Sequence, residues 1–329
     1  MKIATLALNP ALDKTMYFGD DLTFGALNRA LAPSVTSLGG KGTNISRVLR
    51  ALGIESSAYG FIGGDNGDIF LKMLEPYGIK TDFTYTKCET RMNIKLISKR
   101  GEATEFNESG GPVEAFEKDS LMDKIERAAA ESDLFFMGGS VPAGIEKDIY
   151  KNILDLAENA GTKFILDCDG EALKLCMGGP NKPYAIKPNQ FELEQFSGKK
   201  FDLDENFDSG LESVKREAKR IYDETGVVVL CSLGKHGGLY CGGEGICYAD
   251  APKVTLRGFT GAGDTFLGAF VSVWFGLFGL PCKKENPGAA AALDFAVAAS
   301  AAKVKKPGTE FASVGEMLEM YEKITKNKI

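Results

Sequence analysis

Short apolar runs alternate along this chain with longer amphipathic segments, and this alternation restricts the fold more than any other feature. The apolar runs are rich in Ile, Val, Leu and Phe and have the length of buried strands. They predict strands over residues 3–8, 134–137, 163–167, 184–186 and 227–232. The amphipathic segments predict helices over residues 42–52, 69–77, 119–131, 148–160, 191–196, 208–224, 265–280 and 288–303. Such an order predicts an α/β fold, with a mostly parallel sheet covered by helices on both faces.

Two zones interrupt the alternation, residues 15–37 and 91–107. Each shows period-two patterning without a helix between its strands, which is typical of antiparallel strand pairs. We therefore expect one domain over residues 1–329, with strands of a small lid sheet inserted at about 12–37 and 88–112. Such a sheet either closes over a ligand or makes a dimer contact.

Composition excludes several classes of protein. The 39 basic and 45 acidic residues give a net charge of −6, so no electrostatic footprint for nucleic acid or an anionic membrane is present. The apolar run over residues 266–280 contains three glycines and is shorter than the roughly 20 residues of a spanning helix. The seven cysteines form no Cys-x-x-Cys pair, and no signal peptide precedes the first strand, which predicts reduced thiols and a cytoplasmic protein. With His236 as the single histidine, acid–base chemistry falls to carboxylates.

The motif Gly261-Ala262-Gly263-Asp264 introduces a long apolar helix that we expect to begin at about Asp264. Its glycines allow backbone N–H groups to face a ligand, and a helix N-terminus favours an anion such as phosphate. It lacks the third glycine of a dinucleotide fingerprint and the Gly-Lys-Ser/Thr of a Walker loop. Asp264 is either a helix cap or a group that handles a proton or metal ion during phosphoryl transfer. At a helix N-terminus its pKa is expected to be lowered.

Further polar motifs follow other predicted strands, where ligands of α/β sheets bind. Asp13 follows the first strand, and Gly39-Gly40-Lys41 with Asn44 begins the first helix. Arg91, Asn93 and Lys95 share one face of a lid strand and suit a sugar phosphate. Each motif also has a structural interpretation, as a turn or an exposed polar face.

Two more motifs suit a nucleotide. Asn189 and Glu192 follow Lys187 at helix-entry spacing, which fits either a Mg²⁺ held through water or a capping box. Ser232, Gly234 and Gly237 follow the next strand in a glycine-bearing turn. The role of Asp167 and Asp169, at the end of another strand, stays open.

The order of these motifs resembles that of the PfkB, or ribokinase-like, carbohydrate kinase family. The resemblance covers nearly the whole chain and includes Gly138-Gly139-Ser140-Val141-Pro142. Within the family, segments 9–13, 39–42, 90–95 and 104–107 look most like those of kinases that act on fructose 1-phosphate. Kinases of tagatose 6-phosphate are close relatives.

The resemblance implies a ribokinase-like three-layer α/β/α core and assigns a role to each motif. Asp264 would be the catalytic base, and the amides of Gly261, Ala262 and Gly263 would form an anion hole. The residues implied to hold the sugar phosphate are Asp13, Gly39, Gly40, Lys41, Asn44, Arg91, Asn93, Lys95 and Ser140. The residues implied to contact ATP are Lys187, Asn189, Glu192, Ser232, Gly234, Gly237, Gly263, Asn286 and Ala290, with Glu192 on Mg²⁺ through water.

The implied activity is ATP-dependent phosphorylation of fructose 1-phosphate at C6, by a homodimer joined through the lid. Tagatose 6-phosphate kinase is the alternative within the family, and a non-catalytic sugar-phosphate-binding protein is the alternative from another class. The intact motif at Gly261–Asp264 argues against the second.

Overall fold

The computed structural model describes residues 1–281 and 288–326, and the strands and helices alternate as the sequence predicts. The strands are β1 (Ile3–Ala7), β2 (Ala11–Tyr17), β3 (Val35–Gly39), β4 (Ser57–Ile62), β5 (Lys80–Tyr85), β6 (Arg91–Ile97), β7 (Ala103–Asn107), β8 (Leu134–Gly138), β9 (Lys163–Asp167), β10 (Ala185–Ile186), β11 (Val228–Ser232), β12 (Gly238–Gly242) and β13 (Gly245–Ala249). The helices are α1 (Lys41–Ala51), α2 (Gly64–Leu74), α3 (Ala115–Glu131), α4 (Ile149–Leu156), α5 (Gly170–Gly178), α6 (Gln190–Ser197), α7 (Phe207–Thr225), α8 (Ala262–Trp274), α9 (Gly288–Val304) and α10 (Val314–Lys326).

The larger sheet has nine strands within the described residues, in the order β13-β12-β11-β10-β9-β8-β1-β4-β5. From β11 to β5 neighbouring strands are parallel, and the hairpin of β12 and β13 adds an antiparallel edge. The five predicted strands are confirmed to within a residue or two at each end. Strands β4 and β5 and the hairpin were not predicted. The short glycine-rich strands of the hairpin carry little hydrophobic periodicity.

Both faces of this sheet are buried, which gives a three-layer α/β/α core. Along β8, Phe135 and Met137 pack into one apolar core with residues of α3, α4, α5 and α7. Their neighbours Leu134 and Phe136 pack into a second core with residues of α1, α8, α9 and α10. Because each strand buries residues on both faces, its sequence is continuously apolar rather than alternating.

The smaller sheet has the order β3-β2-β6-β7, and we call it the lid sheet. Its outer pairs, β2 with β3 and β6 with β7, are antiparallel and correspond to the two zones predicted from sequence. Its central pair, β2 with β6, is parallel and sets Asp13 opposite Asn93 and Thr15 opposite Lys95. This pairing joins segments about 80 residues apart, so local patterning does not reveal it.

Helix α8 differs from its predicted bounds at both ends. It begins at Ala262, two residues before Asp264, and it ends at Trp274 rather than continuing to residue 280. The early end has a local cause, since Gly276 has the left-handed φ of 67° that commonly terminates a helix. In the two described ranges, no helix combines the length and apolarity needed to cross a membrane.

Candidate active site

The site lies at the carboxyl edge of the larger sheet, where α1 begins directly over β1. Gly42 permits this close approach, because a Cβ at that position would overlap the carbonyl oxygen of Leu6. Gly40 is the N-cap of α1, and Lys41 is its first residue. One turn further, Asn44 is buried and faces α8. The glycine turn therefore brings a lysine and an asparagine to the edge of the sheet, as the sequence predicts.

The N-terminus of α8 meets α1 at Asp264. Gly261 is the N-cap, with a left-handed φ of 81°, and Ala262 and Gly263 complete the turn before Asp264. The side-chain amide of Asn44 donates a 2.8 Å hydrogen bond to Oδ2 of Asp264. No side-chain cap hydrogen bond is formed at the helix start, so capping does not account for Asp264. Its carboxylate is buried and aimed at the cavity described below.

The expected lowering of the Asp264 pKa is wrong. Burial of the carboxylate and the nearby negative charge of Asp167 raise its pKa to about 6, against the opposing effects of Lys41, the Asn44 hydrogen bond and Lys187. Desolvation disfavours the charged form, and here it outweighs the helix dipole on which the sequence argument relied. Asp264 is therefore a carboxylate above about pH 6 and accepts a proton more readily than an exposed aspartate.

Asp167 is the shared counter-ion of two lysines in the site. It is buried, and its two oxygens lie 2.7 Å from Nζ of Lys41 and 3.2 Å from Nζ of Lys187. Burial would raise the pKa of Asp167, but Lys187 and Lys41 outweigh it and the pKa is lowered. For Lys41, burial acts to lower the pKa, and Asp167 and Glu192 outweigh it and raise the pKa. The sequence left the role of this strand end open, and the signal for it was the run Asp167-Cys168-Asp169-Gly170.

The lid sheet supplies the opposite wall. Asp13 is buried and accepts a 2.8 Å hydrogen bond from Asn93, and its other oxygen lies 3.3 Å from Nζ of Lys95. Lys95 also donates to the hydroxyl of Thr260 at 2.6 Å, which ties the lid sheet to the residue preceding Gly261. Thr260 was not among the predicted site residues, because a lone threonine beside the glycine motif has no distinctive spacing.

A polar cavity of about 230 Å³ lies between the two walls. Its lining brings together predicted residues from five separate segments: Asp13, Gly40, Lys41, Asn44, Arg91, Asn93, Lys95, Ser140, Gly261 and Asp264. Gly39 lies beside it, against the carboxylate of Asp13. The lining also includes Glu105 and Asn107 of β7, which were not among the predicted site residues although segment 104–107 formed part of the family resemblance.

Arg91 differs from the other cations of the cavity. Its guanidinium donates to the backbone oxygen of Asn9 at 3.0 and 3.1 Å and to that of Glu108 at 2.9 Å. Lys41 and Lys95, in contrast, are each paired with carboxylates. Among the described residues no carboxylate oxygen lies within ion-pair distance of Arg91, so its charge is available to an incoming anion.

The described residues predicted to contact a nucleotide do not line this cavity. Nζ of Lys187 lies 3.5 Å from the point that a Cβ on Gly263 would occupy. Asn189 and Ser232 form a parallel bridge between their segments, and Gly234 and Gly237 lie in the turn after Ser232. Ala290 is exposed in the first turn of α9. Asn286 falls outside the described residues.

Asn189 and Glu192 form a reciprocal capping box at the start of α6, which is the structural interpretation left open by the sequence. One oxygen of Glu192 accepts from the amide of Asn189 at 2.7 Å, and the other lies 3.8 Å from Nζ of Lys41. Within the described ranges no group of three or more Asp, Glu, Cys and His side chains is arranged to hold a metal ion. A cation such as Mg²⁺, which retains several waters and binds phosphate oxygens, does not require such a group.

Comparison with known proteins places this chain in the class of phosphotransferases with an alcohol group as acceptor. Residues 7–314 match the family described as pfkB family carbohydrate kinase. A 1-phosphofructokinase of Borreliella burgdorferi is 36% identical over 271 residues, which are 82% of this chain and 83% of that protein. A 1-phosphofructokinase of Bacillus subtilis is 30% identical over 270 residues, 82% of this chain and 84% of that protein. The chain belongs to the pfkB family of carbohydrate kinases.

The fold agrees with that assignment. The crystal structure of phosphofructokinase-2 from Escherichia coli in complex with potassium superimposes with a TM-score of 0.85 at 25% sequence identity. The match covers 98% of this chain and 99% of that chain, so it includes the lid sheet as well as the larger sheet. Sugar kinases of this family use ATP, generally with Mg²⁺.

We predict that Asp167→Asn destabilises the protein by about 3 kcal/mol, because it leaves the ammonium groups of Lys41 and Lys187 without their shared buried carboxylate. The free energy of unfolding, measured by urea denaturation, checks this value. Asp169→Asn is the matched control: Asp169 is exposed and makes no side-chain cap hydrogen bond to α5, so we expect its loss to change stability little. Equal effects of the two substitutions would contradict the anchoring role of Asp167.

Proposed function

We propose that this chain is an ATP-dependent kinase that phosphorylates the C6 hydroxyl of fructose 1-phosphate. The observation that carries the proposal is the buried carboxylate of Asp264, which lies at the glycine-rich start of α8 and lines a cavity that also contains Lys41, Arg91 and Lys95. The names of the two sequence relatives support fructose 1-phosphate as the acceptor. We infer that the chain acts as one kinase domain with the lid sheet over its sugar site.

Asp264 would act as the base. The C6 oxygen of the sugar forms a bond to the γ-phosphorus of ATP, the bond from that phosphorus to the β–γ bridging oxygen breaks, and ADP leaves. The hydroxyl proton passes to the carboxylate of Asp264, whose raised pKa suits a proton acceptor near neutral pH. The amides of Gly261, Ala262 and Gly263 would stabilise the negative charge on the transferring group, helped by the positive end of α8.

Arg91 would bind the phosphate that the sugar already carries. Its guanidinium is held by carbonyl oxygens and has no carboxylate partner within the described residues, whereas Asp13 and Glu105 partly neutralise Lys95. Guanidinium groups also match the geometry of phosphate oxygens. Asp13, Gly39, Gly40, Lys41, Asn44, Asn93, Lys95 and Ser140 would complete the sugar-phosphate site.

The nucleotide would lie across Lys187, Asn189, Ser232, Gly234, Gly237, Gly263, Asn286 and Ala290. Mg²⁺ would neutralise charge on the ATP phosphates, and Glu192 would contact it through water. One oxygen of Glu192 is occupied by the capping box, and the other, which lies 3.8 Å from Nζ of Lys41, would take this role. Lys187 lies close to both Gly263 and Asp167, which supports a role beside the transferring phosphoryl group.

Turnover with a panel of sugar phosphates tests the proposed substrate. We expect kcat/KM for fructose 1-phosphate to exceed that for tagatose 6-phosphate and fructose 6-phosphate by about tenfold or more, because the phosphate bound at Arg91 fixes which hydroxyl reaches Asp264. ADP release in a coupled assay and identification of the bisphosphate product measure it. Preference for tagatose 6-phosphate would support the alternative within the family. If none of the sugar phosphates were phosphorylated, the proposal would be overturned.

Asp264→Asn removes the proposed base while retaining an oxygen that accepts from Asn44. We expect kcat to fall about 10³-fold and the affinity for fructose 1-phosphate, measured by calorimetry, to change little. For the unchanged protein, kcat/KM should fall as the pH drops through about 6, where Asp264 gains its proton. Asp208→Asn, an exposed carboxylate in the first turn of α7, is the matched control and should retain full activity. Substantial turnover by the Asp264 variant would show that this carboxylate is not the base.

We also propose a homodimer joined through the lid sheet. The segment between β2 and β3 exposes Phe24, Leu27 and Leu31 at 85%, 77% and 70%. Val35 and Phe106, in the two edge strands β3 and β7 of the lid sheet, are exposed as well. Large exposed apolar side chains in one segment are typical of a protein interface. Sedimentation should give a dimer for the unchanged protein and a monomer for Leu27→Asp. The control Leu156→Asp, at an exposed leucine of α4, should remain dimeric, and a monomeric unchanged protein would contradict the proposal.

A further inference from the structure

The last turn of α9 holds the segment that leads into the glycine motif. The carbonyl oxygen of Val304 accepts from the amides of Arg257 at 2.8 Å and Gly258 at 3.2 Å. One turn earlier, the hydroxyl of Ser300 donates to the carbonyl oxygen of Ala262 at 3.2 Å. This turn of α9 therefore fixes the backbone on both sides of Gly261.

Lys303 lies in the same turn and is fully buried. Its Cε is 3.8 Å from the point that a Cβ on Gly261 would occupy, and its ammonium donates a 2.8 Å hydrogen bond to the carbonyl oxygen of Gly308. Within the described residues no carboxylate oxygen lies within ion-pair distance of this ammonium. A buried lysine without a paired carboxylate is rare, because desolvation of its charge costs several kcal/mol.

The charged groups that face Lys303 come from three elements. Lys95 approaches from the lid sheet and Arg47 from α1, while Glu310 follows Gly308 in the loop between α9 and α10. Burial, together with Lys95 and Arg47, lowers the pKa of Lys303 to about 8, and Glu310 opposes this shift. Lys95, Arg47 and Lys303 are all buried, so three cations raise the electrostatic free energy near Gly261. Attraction to an anion bound at the cavity side of Gly261 would offset this repulsion.

We propose that Lys303 is a positioning residue for phosphoryl transfer, whose buried ammonium fixes the loop at Gly308 and adds positive charge directly behind the Gly261–Gly263 amides. This inference rests on the proposed function of those amides as an anion hole. Lys303 does not touch the substrate, because Gly261 lies between it and the cavity. It acts through the position of the glycine turn and through the field at the transferring group, where negative charge is concentrated.

Two substitutions separate the charge of Lys303 from its hydrogen bond. Lys303→Met keeps the length of the side chain and removes both, whereas Lys303→Gln keeps a donor that can reach toward Gly308 but removes the charge. We expect kcat to fall about tenfold in each variant, with KM for the sugar phosphate changed less than about threefold, because the field acts mainly on the transferring group. The melting temperature should be maintained or raised, because a buried cation has been removed.

The pH profile provides a readout that a purely structural role would leave unchanged. In the unchanged protein, kcat/KM should fall as the pH rises through about 8, where Lys303 of the free protein loses its proton and the positive charge disappears. Both variants should lose this alkaline limb and keep the acid limb due to Asp264. Lys305→Met removes a charge from an exposed position two residues further on and should leave both limbs and kcat unaltered.

Each outcome decides between the alternatives. Wild-type kcat in either Lys303 variant, retention of the alkaline limb, or an equal loss in Lys305→Met would overturn the role of Lys303. A lower melting temperature with an unchanged pH profile would also overturn it and assign Lys303 to folding alone. Absence of turnover in the unchanged protein would overturn the proposed function together with this inference, whereas an active protein indifferent to Lys303 would overturn only the inference.

Discussion

The burial of two carboxylates at one edge of the sheet is the constraint on which the rest of the site depends. Asp167 and Asp264 both lie out of water, and each disfavours ionisation of the other. Lys41 and Lys187 keep Asp167 charged by direct contact, while Asp264 has one hydrogen bond from Asn44 and a raised pKa. The same environment therefore lowers the pKa of one carboxylate and raises that of the other to about 6, so Asp167 suits a counter-ion and Asp264 suits a base.

The elements around these two carboxylates place cations at or behind the cavity that would receive an anionic ligand. The start of α1 brings Lys41, the lid sheet brings Arg91 and Lys95, and the last turn of α9 brings Lys303 from behind. Of these four cations, Lys41 and Lys95 are paired with carboxylates, whereas Arg91 and Lys303 have no carboxylate within ion-pair distance in the described part of the chain. The protein as a whole carries a net charge of −6, so its preference for an anionic ligand comes from this local arrangement rather than from overall charge.

Much of this site follows from sequence because its motifs are local. Gly39-Gly40-Lys41 and Gly261–Asp264 each combine a turn with the start of a helix, and such turns depend on residues that are close in the chain. Effects that depend on residues far apart in the chain could not be predicted from sequence. Burial reversed the expected pKa shift of Asp264, and the parallel pairing of β2 with β6 brought Thr15 opposite Lys95 across about 80 residues. Glu105, Asn107 and Thr260 line the cavity although no site role was predicted for them, because their places in the lining depend on how β7 and the start of α8 pack.

The amino-acid sequence by itself determined the α/β alternation, the lid strands and the residue types at each strand end, because hydrophobic periodicity and glycine turns act over a few residues. Only the tertiary structure decided which of those residues share a charge environment. Asp167 became a counter-ion because α1 and β10 bring Lys41 and Lys187 to it, and Lys303 became a buried cation because α9 packs against the start of α8. Electrostatic free energies depend on distance and desolvation, and both are properties of the folded chain.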